Sequence, residues 1–435
     1  MTRSYRIPTL ALGAIALTSA FVFPSPQQKV VASSVAKKLK ATYSDNVATI
    51  INRSCVSCHH DGAVAPFSLV GYDNAKKWAS SIAAVTQSGA MPPWKAVHGY
   101  GEFLDDQHLS DEDVALLGKW YEDGAPRGNK DKEPKAPTFA SEWILGQPDL
   151  ILQPDRAYHL AAEGDDVYRN FVLKNTFDHP VWVKAIDVKP GNPKVVHHEI
   201  TFLDSMGAAK KLEAANTDGE LGYTSSGGGP GFMPTGTLGG WAPGVTTRML
   251  PEGMAWLVQP KSQLVMQVHY HKDGKPEEDL TRVGLYFAKE PITKEVHLNW
   301  VFNFGIHIPA GEKSYEASAT RNIDQDVTLY SAMPHMHLLG RTMKAAIILP
   351  DGKEKPLIWI NDWDFNWQLV YALKEPMHIP KGSKIRVTAT YDNSTGNPRN
   401  PNNPPKDVTW GEQTTDEMFL LVLGYTVDGE TASAN

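Results

Sequence analysis

Cysteine is nearly absent from this chain of 435 residues, occurring only as Cys55 and Cys58. A scaffold stapled by several disulfides is therefore excluded. A basic surplus is also missing. Lys and Arg number 42 against 49 Asp and Glu, for a net charge of -7, which leaves no electrostatic footprint for nucleic acid or an anionic membrane. Long apolar runs are scarce beyond the N-terminus, and a mean hydropathy of -0.34 rules out a multi-span membrane protein. No Ser-His-Asp order and no phosphate loop occur. Gly227-Gly228-Gly229 lacks the Lys-Ser/Thr of a phosphate-binding loop and reads as a flexible loop.

What is present suits several compact units. The length predicts roughly three domains. Hydrophobic residues make up 41% of the chain, enough to bury several cores. Thirty-five Gly, 31 Pro and 9% aromatics fit many short strands joined by turns.

The N-terminus reads as an export signal or N-terminal anchor over residues 1–26. Arg3 and Arg6 give a positive start, and Pro8 to Phe23 is mostly apolar and small. Cleavage near Ala20 fits this pattern. Uncleaved, the same run would tether the protein to a membrane. No Cys follows closely, so a lipoprotein is not expected. A Lys-, Ala- and Ser-rich stretch at 27–42 reads as a tether or first helix.

Residues 40–128 have helical features: Tyr43 to Asn52, Asn74 to Gln87, and a helix capped by Ser110 with Asp111, Glu112 and Asp113 in its first turn, running through Val114, Leu117 and Trp120. Within this unit, Cys55-Val56-Ser57-Cys58-His59 is CxxCH, the attachment motif for a covalent c-type haem. Thiols at i and i+3 can each form a thioether to a vinyl group, and the adjacent His reaches the iron. Half a zinc site would need more ligands, and no further Cys exists. A dithiol redox pair would not need His59. Met91, in an extended Gly-Ala-Met-Pro-Pro loop, is the expected sixth ligand, with His98 and His108 as alternatives. The unit therefore reads as a small all-α, monohaem cytochrome c-like domain.

A charged, Pro-containing linker (129–147) follows, and then the periodicity changes. Tyr168 to Leu173, Val181 to Val188, Leu264 to Tyr270, Arg282 to Phe287, Val327 to Met333, Lys344 to Leu349, Lys384 to Tyr391 and Met418 to Tyr425 alternate or are β-branched and aromatic. This is the pattern of antiparallel β-sandwiches. The length requires two of them, expected at 148–288 and 289–435. The glycine-rich stretch from Gly222 to Gly244 reads as a long loop.

Eleven of the 15 His lie beyond residue 150, several of them clustered: His197 with His198, His269 with His271, and His335 with His337. In a strand, residues i and i+2 share a face, so His335 and His337 can chelate one ion. Adjacent His197 and His198 need a bulge to do so, and a third ligand from another strand. Imidazole suits Zn, Cu, Ni and Fe alike, whereas a Met thioether would favour Cu(I).

These residues resemble a known family, the copper type II, ascorbate-dependent monooxygenases, which include peptidylglycine α-hydroxylating monooxygenase and dopamine β-monooxygenase. Val196-His197-His198-Glu199 resembles the His-His pair of the first copper site. Trp241-Ala242-Pro243-Gly244 and Leu250-Pro251-Glu252-Gly253 resemble the connecting segment. Gln267-Val268-His269-Tyr270 resembles the strand carrying the third His. Pro334-His335-Met336-His337-Leu338-Leu339-Gly340 resembles the His-x-His strand of the second copper, and Thr415-Asp416-Glu417-Met418 the segment with its Met ligand.

The resemblance spans roughly residues 150–430. It implies two copper ions: an electron-transferring copper on His197, His198 and His269, and a second copper on His335, His337 and Met418, where dioxygen and substrate react. It implies two jelly-roll-like sandwich domains. The implied activity is hydroxylation of a C–H bond of a small-molecule or peptide substrate by dioxygen, with an ascorbate-like reductant or periplasmic redox protein as electron donor. Three departures stand out. The β region has no Cys, whereas the animal enzymes carry disulfides. His271 has no counterpart and reads as structural or as a support to a ligand. The haem unit resembles bacterial fusions and suggests an exported, periplasmic protein.

The competing expectation is a haem and copper electron-transfer or copper-binding protein without oxygenase activity. A zinc-bound sandwich with the haem as a sensor is a third. Tyr391 and Gln267 are candidates to support ligands, and Asp416 with Glu417 reads as a solvated pair in a turn.

Overall fold

A computed structural model describes residues 40–432, apart from 64, 140–142, 175–176, 226–228 and 246. The expected export signal, most of the stretch at 27–42, part of the linker and Gly227-Gly228 lie outside the described residues. Among the described residues, no helix is long and apolar enough to cross a membrane.

Residues 43–122 form helices around their own core. A π-turn, Tyr43–Val47, runs into the helix Ala48–Ser54. Thr42 caps it by accepting from the Asp45 N–H, as a hydroxyl does at a helix start. The single helix expected from Asn74 to Gln87 is two, Tyr72–Lys77 and Ala79–Gln87. The break falls at Trp78, whose ψ of 9° leaves the helical region, and its ring stacks on Phe67. The helix Asp111–Glu122 begins in a full capping box between Ser110 and Asp113. Val47, Ile51, Leu117 and Trp120 are wholly buried at the centre of this unit.

Two sandwiches follow. The first packs two five-stranded sheets face to face. One runs in the order Leu150–Leu152, Arg282–Phe287, Val181–Lys189, Met254–Val258, Lys294–Glu295. The other runs Tyr223–Thr224, Val167–Leu173, Gln263–Tyr270, Val196–Asp204, Gly236–Trp241. Val183, Val258, Leu264, Met266 and Leu285 fill the space between them.

The second sandwich pairs two four-stranded sheets, in the orders His297–Phe302, Leu420–Val427, Val327–His335, Tyr371–Ile379 and Tyr315–Asn322, Lys384–Tyr391, Gly340–Ile348, Glu354–Ile360. Lys384–Tyr391 buries nearly every second residue, which is why its alternation was readable from sequence. Leu329, Met343, Ile347, Ile358 and Leu421 form the core. The mostly β architecture is the one expected for sandwich domains.

The stretch from Gly222 to Gly244 is not one long loop. It contains two strands, and Gly236–Trp241 pairs antiparallel with Val196–Asp204. Glycine composition suggested a loop, but here it serves close backbone approach. A Cβ on Gly240 would lie 2.1 Å from the Glu199 carbonyl oxygen.

The helical unit is strapped to the second sandwich. Ala96 bridges Ile360, and Phe103 bridges Leu373. Val97 N–H donates to Trp359 O (2.8 Å) and Leu104 N–H to Ala372 O (2.8 Å). Ala96 belongs to the second sandwich's core, with Trp94 and Phe103 packed against it.

Gly240→Ala should force this edge strand off its partner. It is expected to destabilise the first sandwich by about 2 kcal/mol. Thermal melting should show that transition lowered by about 5 °C.

Candidate metal centre

Strand pairing assembles the first histidine group. In the register of Val196–Asp204 against Gln263–Tyr270, Val196 pairs with Tyr270 and His198 with His269, so the register shifts between them. His197 is the extra residue of a bulge, which lets adjacent histidines turn towards one centre. The Nδ1 atoms of His197 and His198 are 3.2 Å apart, and those of His198 and His269 are 3.4 Å apart. All three residues offer donor atoms within 4.8 Å of one another.

The tautomer of His269 is set from behind. Its Nε2–H donates to Asp166 Oδ2 (3.0 Å), so its Nδ1 carries a lone pair facing the other two rings. Asp166 also accepts from His271 Nδ1 (2.9 Å) and from the Thr414 hydroxyl. Burial opposes charge on this carboxyl, yet the three donors hold it well below the usual carboxylate range. Its charge in turn raises the His271 pKa. His271 therefore supports Asp166, which supports His269. Tyr168 stacks on His269 at 4.2 Å.

The second group is also placed by register. His335 pairs with Leu420 across antiparallel strands. The strand pairing ends there, and His337 and Met418 lie just beyond it. The rings of His335 and His337 are 5.3 Å apart and nearly perpendicular. His335 Nδ1–H donates to Gln368 Oε1 (2.6 Å), and the amide is oriented by its own donation to Phe365 O (3.0 Å). His337 Nδ1–H donates to Asp416 O (3.2 Å). Both rings are thus left with a free Nε2 lone pair.

Glu417 is not solvated, as the turn reading expected, but fully buried. Its Oε1 accepts the N–H of His337 and of Met418 (2.8 Å), and its Oε2 that of Leu339 (2.9 Å). Burial pushes its carboxyl up to about 8, against the pull of these amides. One side chain thereby clamps the His-x-His turn to the Met418 segment. Tyr391 OH adds a bond to the Met418 carbonyl (2.9 Å). Gln267 does not face either group through hydrogen bonds; it bonds Asn170 and Ser225.

The two groups face each other across the joint between sandwiches. The ring of Phe365 stacks on His197 at 4.4 Å and meets His337 edge-on at 5.6 Å. Burial lowers the His197 pKa to about 3 and the His335 pKa to about 4, and holds His198, His269 and His337 below the usual value. Charge on neighbouring imidazoles lowers His197, His198 and His337 further. All five shifts therefore disfavour the protonated ring, and metal ligation requires the neutral one. Converging, desolvated, neutral lone pairs form a donor set that fits soft or borderline metal ions.

In the helical unit, the Cys58 and His59 N–H groups both donate to Cys55 O (3.2 and 3.0 Å), so the CxxCH residues form a tight turn. Both thiols are free and half-buried. Burial pushes the Cys55 thiol up to about 12. His59 Nδ1 bonds Phe67 O (3.3 Å), leaving Nε2 for a ligand. Met91 is half-buried just past the helix Ala79–Gln87, its N–H bonded to Val85 O. His98 and His108 pair with each other, their rings stacked at 4.5 Å.

Sequence reasoning missed Asp166, Phe365 and Gln368. None lies in a motif, and no local signal marks them.

Residues 298–431 match the family model of the copper type II ascorbate-dependent monooxygenase, C-terminal domain. The match takes in His335, His337 and Met418 and supports the resemblance to that family. The first sandwich and the helical unit lie outside it. No curated protein matches the chain. Among solved structures, it is similar at 10% identity to the infectious bursal disease virus VP2 subviral particle (TM-score 0.18, covering 68% of this chain and 80% of that one). It is similar at 9% to the major capsid protein P2 of bacteriophage PM2 (TM-score 0.23, 66% and 98%) and at 10% to PNGF-II (TM-score 0.24, 75% and 71%). These superpositions carry no argument about fold or function.

Asp166→Asn should loosen the all-histidine group and Glu417→Gln the His335/His337/Met418 group. Each is expected to lower metal affinity at its own group about 10–100-fold, read as metal retained against a competing chelator. Glu417→Gln should leave the all-histidine group unchanged.

Proposed function

We propose that this protein is a copper-dependent monooxygenase that hydroxylates a C–H bond of a small organic or peptide substrate. The observation that carries the reading is the pair of donor sets, three Nδ1 atoms on one side and two free Nε2 atoms on the other, with the His337 and Met418 N–H groups held by one Glu417 carboxyl. Copper held there would supply one-electron chemistry: dioxygen takes two electrons and two protons, one oxygen atom enters the C–H bond and the other leaves as water.

The protein's own residues set the conditions for this. His197, His198 and His269 would hold the electron-storing ion, oriented by Asp166. His335, His337 and Met418 would hold the ion at which substrate reacts, and the thioether favours its reduced state. Gln368, Asp416 O and Glu417 fix those ligands before metal arrives, which lowers the reorganisation needed on binding. Phe365 sets an apolar ring against one histidine of each group, His197 and His337.

Electrons would come from an ascorbate-like reductant or through a c-type haem bonded to Cys55 and Cys58 and ligated by His59, with Met91 as sixth ligand. Export to a bacterial periplasm goes with this reading, since covalent haem attachment and the apolar start at Pro8 to Phe23 both suit it.

The second reading is an electron-transfer or copper-binding protein. It shares every ligand and differs only in lacking oxygen-dependent product.

Elemental analysis of purified, haem-loaded protein, washed briefly with a chelator to clear exchangeable surface ions, should find two coppers per chain, falling towards one in Met418→Ala. Zinc in place of copper would sink the enzymatic reading. The haem route predicts that oxidised copper is re-reduced faster in haem-loaded protein than in Cys55→Ala/Cys58→Ala. Equal rates would leave the haem without that role.

A further inference from the structure

The structure brings His98 and His108 together, their rings stacked at 4.5 Å. The chain between them runs out along the second sandwich and back. Ala96 and Val97 pair with Ile360 and Trp359 on the outward run. Glu102 O accepts from Lys374 N (2.9 Å), and Leu104 N donates to Ala372 O (2.8 Å) on the return. Between these anchors Gly101, at φ +86°, presses on the Leu357 carbonyl, where a Cβ would come within 2.4 Å. The loop is therefore fixed at both ends and at its tip. Its two histidines are brought side by side by backbone pairing.

Asp106 completes the group. Its Oδ2 accepts from His98 Nδ1 (3.1 Å) and its Oδ1 from the His108 backbone N–H (2.9 Å). The rings of His98 and His108 lie nearly parallel, 15° apart, with centroids 4.5 Å apart. One donor atom from each of the three residues lies within 4.8 Å of the others. Glu102 and Asp105 add negative charge on the same loop. Asp105 pairs with Arg248 of the first sandwich, so all three parts of the molecule meet here.

We propose that His98, Asp106 and His108 bind a divalent copper or zinc ion at the protein surface, separate from the two buried histidine groups. Two imidazoles and a carboxylate are a borderline donor set with no thioether or thiolate, which suits Cu(II) or Zn(II) and gives no preference for Cu(I). The ion would replace the proton that His98 and Asp106 share. The stacked rings would have to turn out of their stack to bring the donors to the ~2.0–2.2 Å such ions require, and the pinned backbone confines that ordering cost to the side chains. All three side chains face solvent, so water would fill the remaining positions and the ion would exchange freely. Because His98 precedes and His108 follows the paired return at Phe103 and Leu104, the ion would also lock the strap onto the second sandwich.

The test uses the full chain, stripped with a chelator and dialysed against Zn(II) in one arm and Cu(II) in another, with bound metal counted by elemental analysis. His98→Ala/His108→Ala should hold one ion fewer per chain than wild type in at least one arm, and the arm identifies the metal. His269→Ala should keep that ion, which separates this site from the buried groups and from the fate of the monooxygenase reading. Circular dichroism should show both variants folded. Equal metal counts for wild type and His98→Ala/His108→Ala in both arms would overturn the proposal.

Discussion

Five clustered imidazoles, three buried and two half-buried, are all disfavoured as cations, and the architecture of the site follows from that constraint. A buried, protonated ring beside other rings would carry both a desolvation cost and like-charge repulsion. Neutrality leaves each ring one donor and one lone pair, so every hydrogen bond behind a ring decides where its lone pair points. Asp166 takes the Nε2–H of His269 and turns its Nδ1 inward. Gln368 and the Asp416 carbonyl take the Nδ1–H of His335 and His337 and free their Nε2 atoms. The two groups therefore present opposite ring nitrogens, a difference set by partners that are not themselves ligands.

The same partners hold the sandwiches together. Asp166 belongs to the first sandwich, yet it accepts from Thr414 of the second. Tyr168, stacked on His269, donates to Glu412 O. Phe365 of the second sandwich lies flat on His197 of the first. Apolar contact and charge-assisted hydrogen bonds at this joint thus do two things at once: they close the interface and they fix ligand geometry. Moving one sandwich against the other would disturb both histidine groups together.

Backbone devices make room for these contacts. The bulge at His197 turns two neighbouring side chains to one side of a strand, and the glycine edge strand beside it lets the sheet close over Glu199. The strap from Trp94 to Leu104 adds backbone pairs and Ala96 to the second core. The helical unit is therefore part of the folded body, and any group bound at CxxCH would be held on the same frame as the sandwiches.

Local order was legible in the sequence because it rests on short spacings. The His335/His337 pair, the CxxCH turn, the Ser110 capping box and the alternation of Lys384–Tyr391 each lie within a few residues, where strand and helix periods dictate which side chains meet. The helix break at Trp78 and the edge strand within the glycine-rich stretch were not legible. Close backbone approach overrode the local pattern in the glycine-rich stretch. Least legible were the partners of the ligands. Asp166 lies 103 residues from His269 and 248 from Thr414, and Gln368 lies 33 from His335. Glu417 was in view beside Met418, but its burial depends on a turn 80 residues away. No periodicity links positions so far apart. The sequence by itself determined which residues could bind metal; only the packing of sheet on sheet decided which nitrogen each histidine offers, and to which centre.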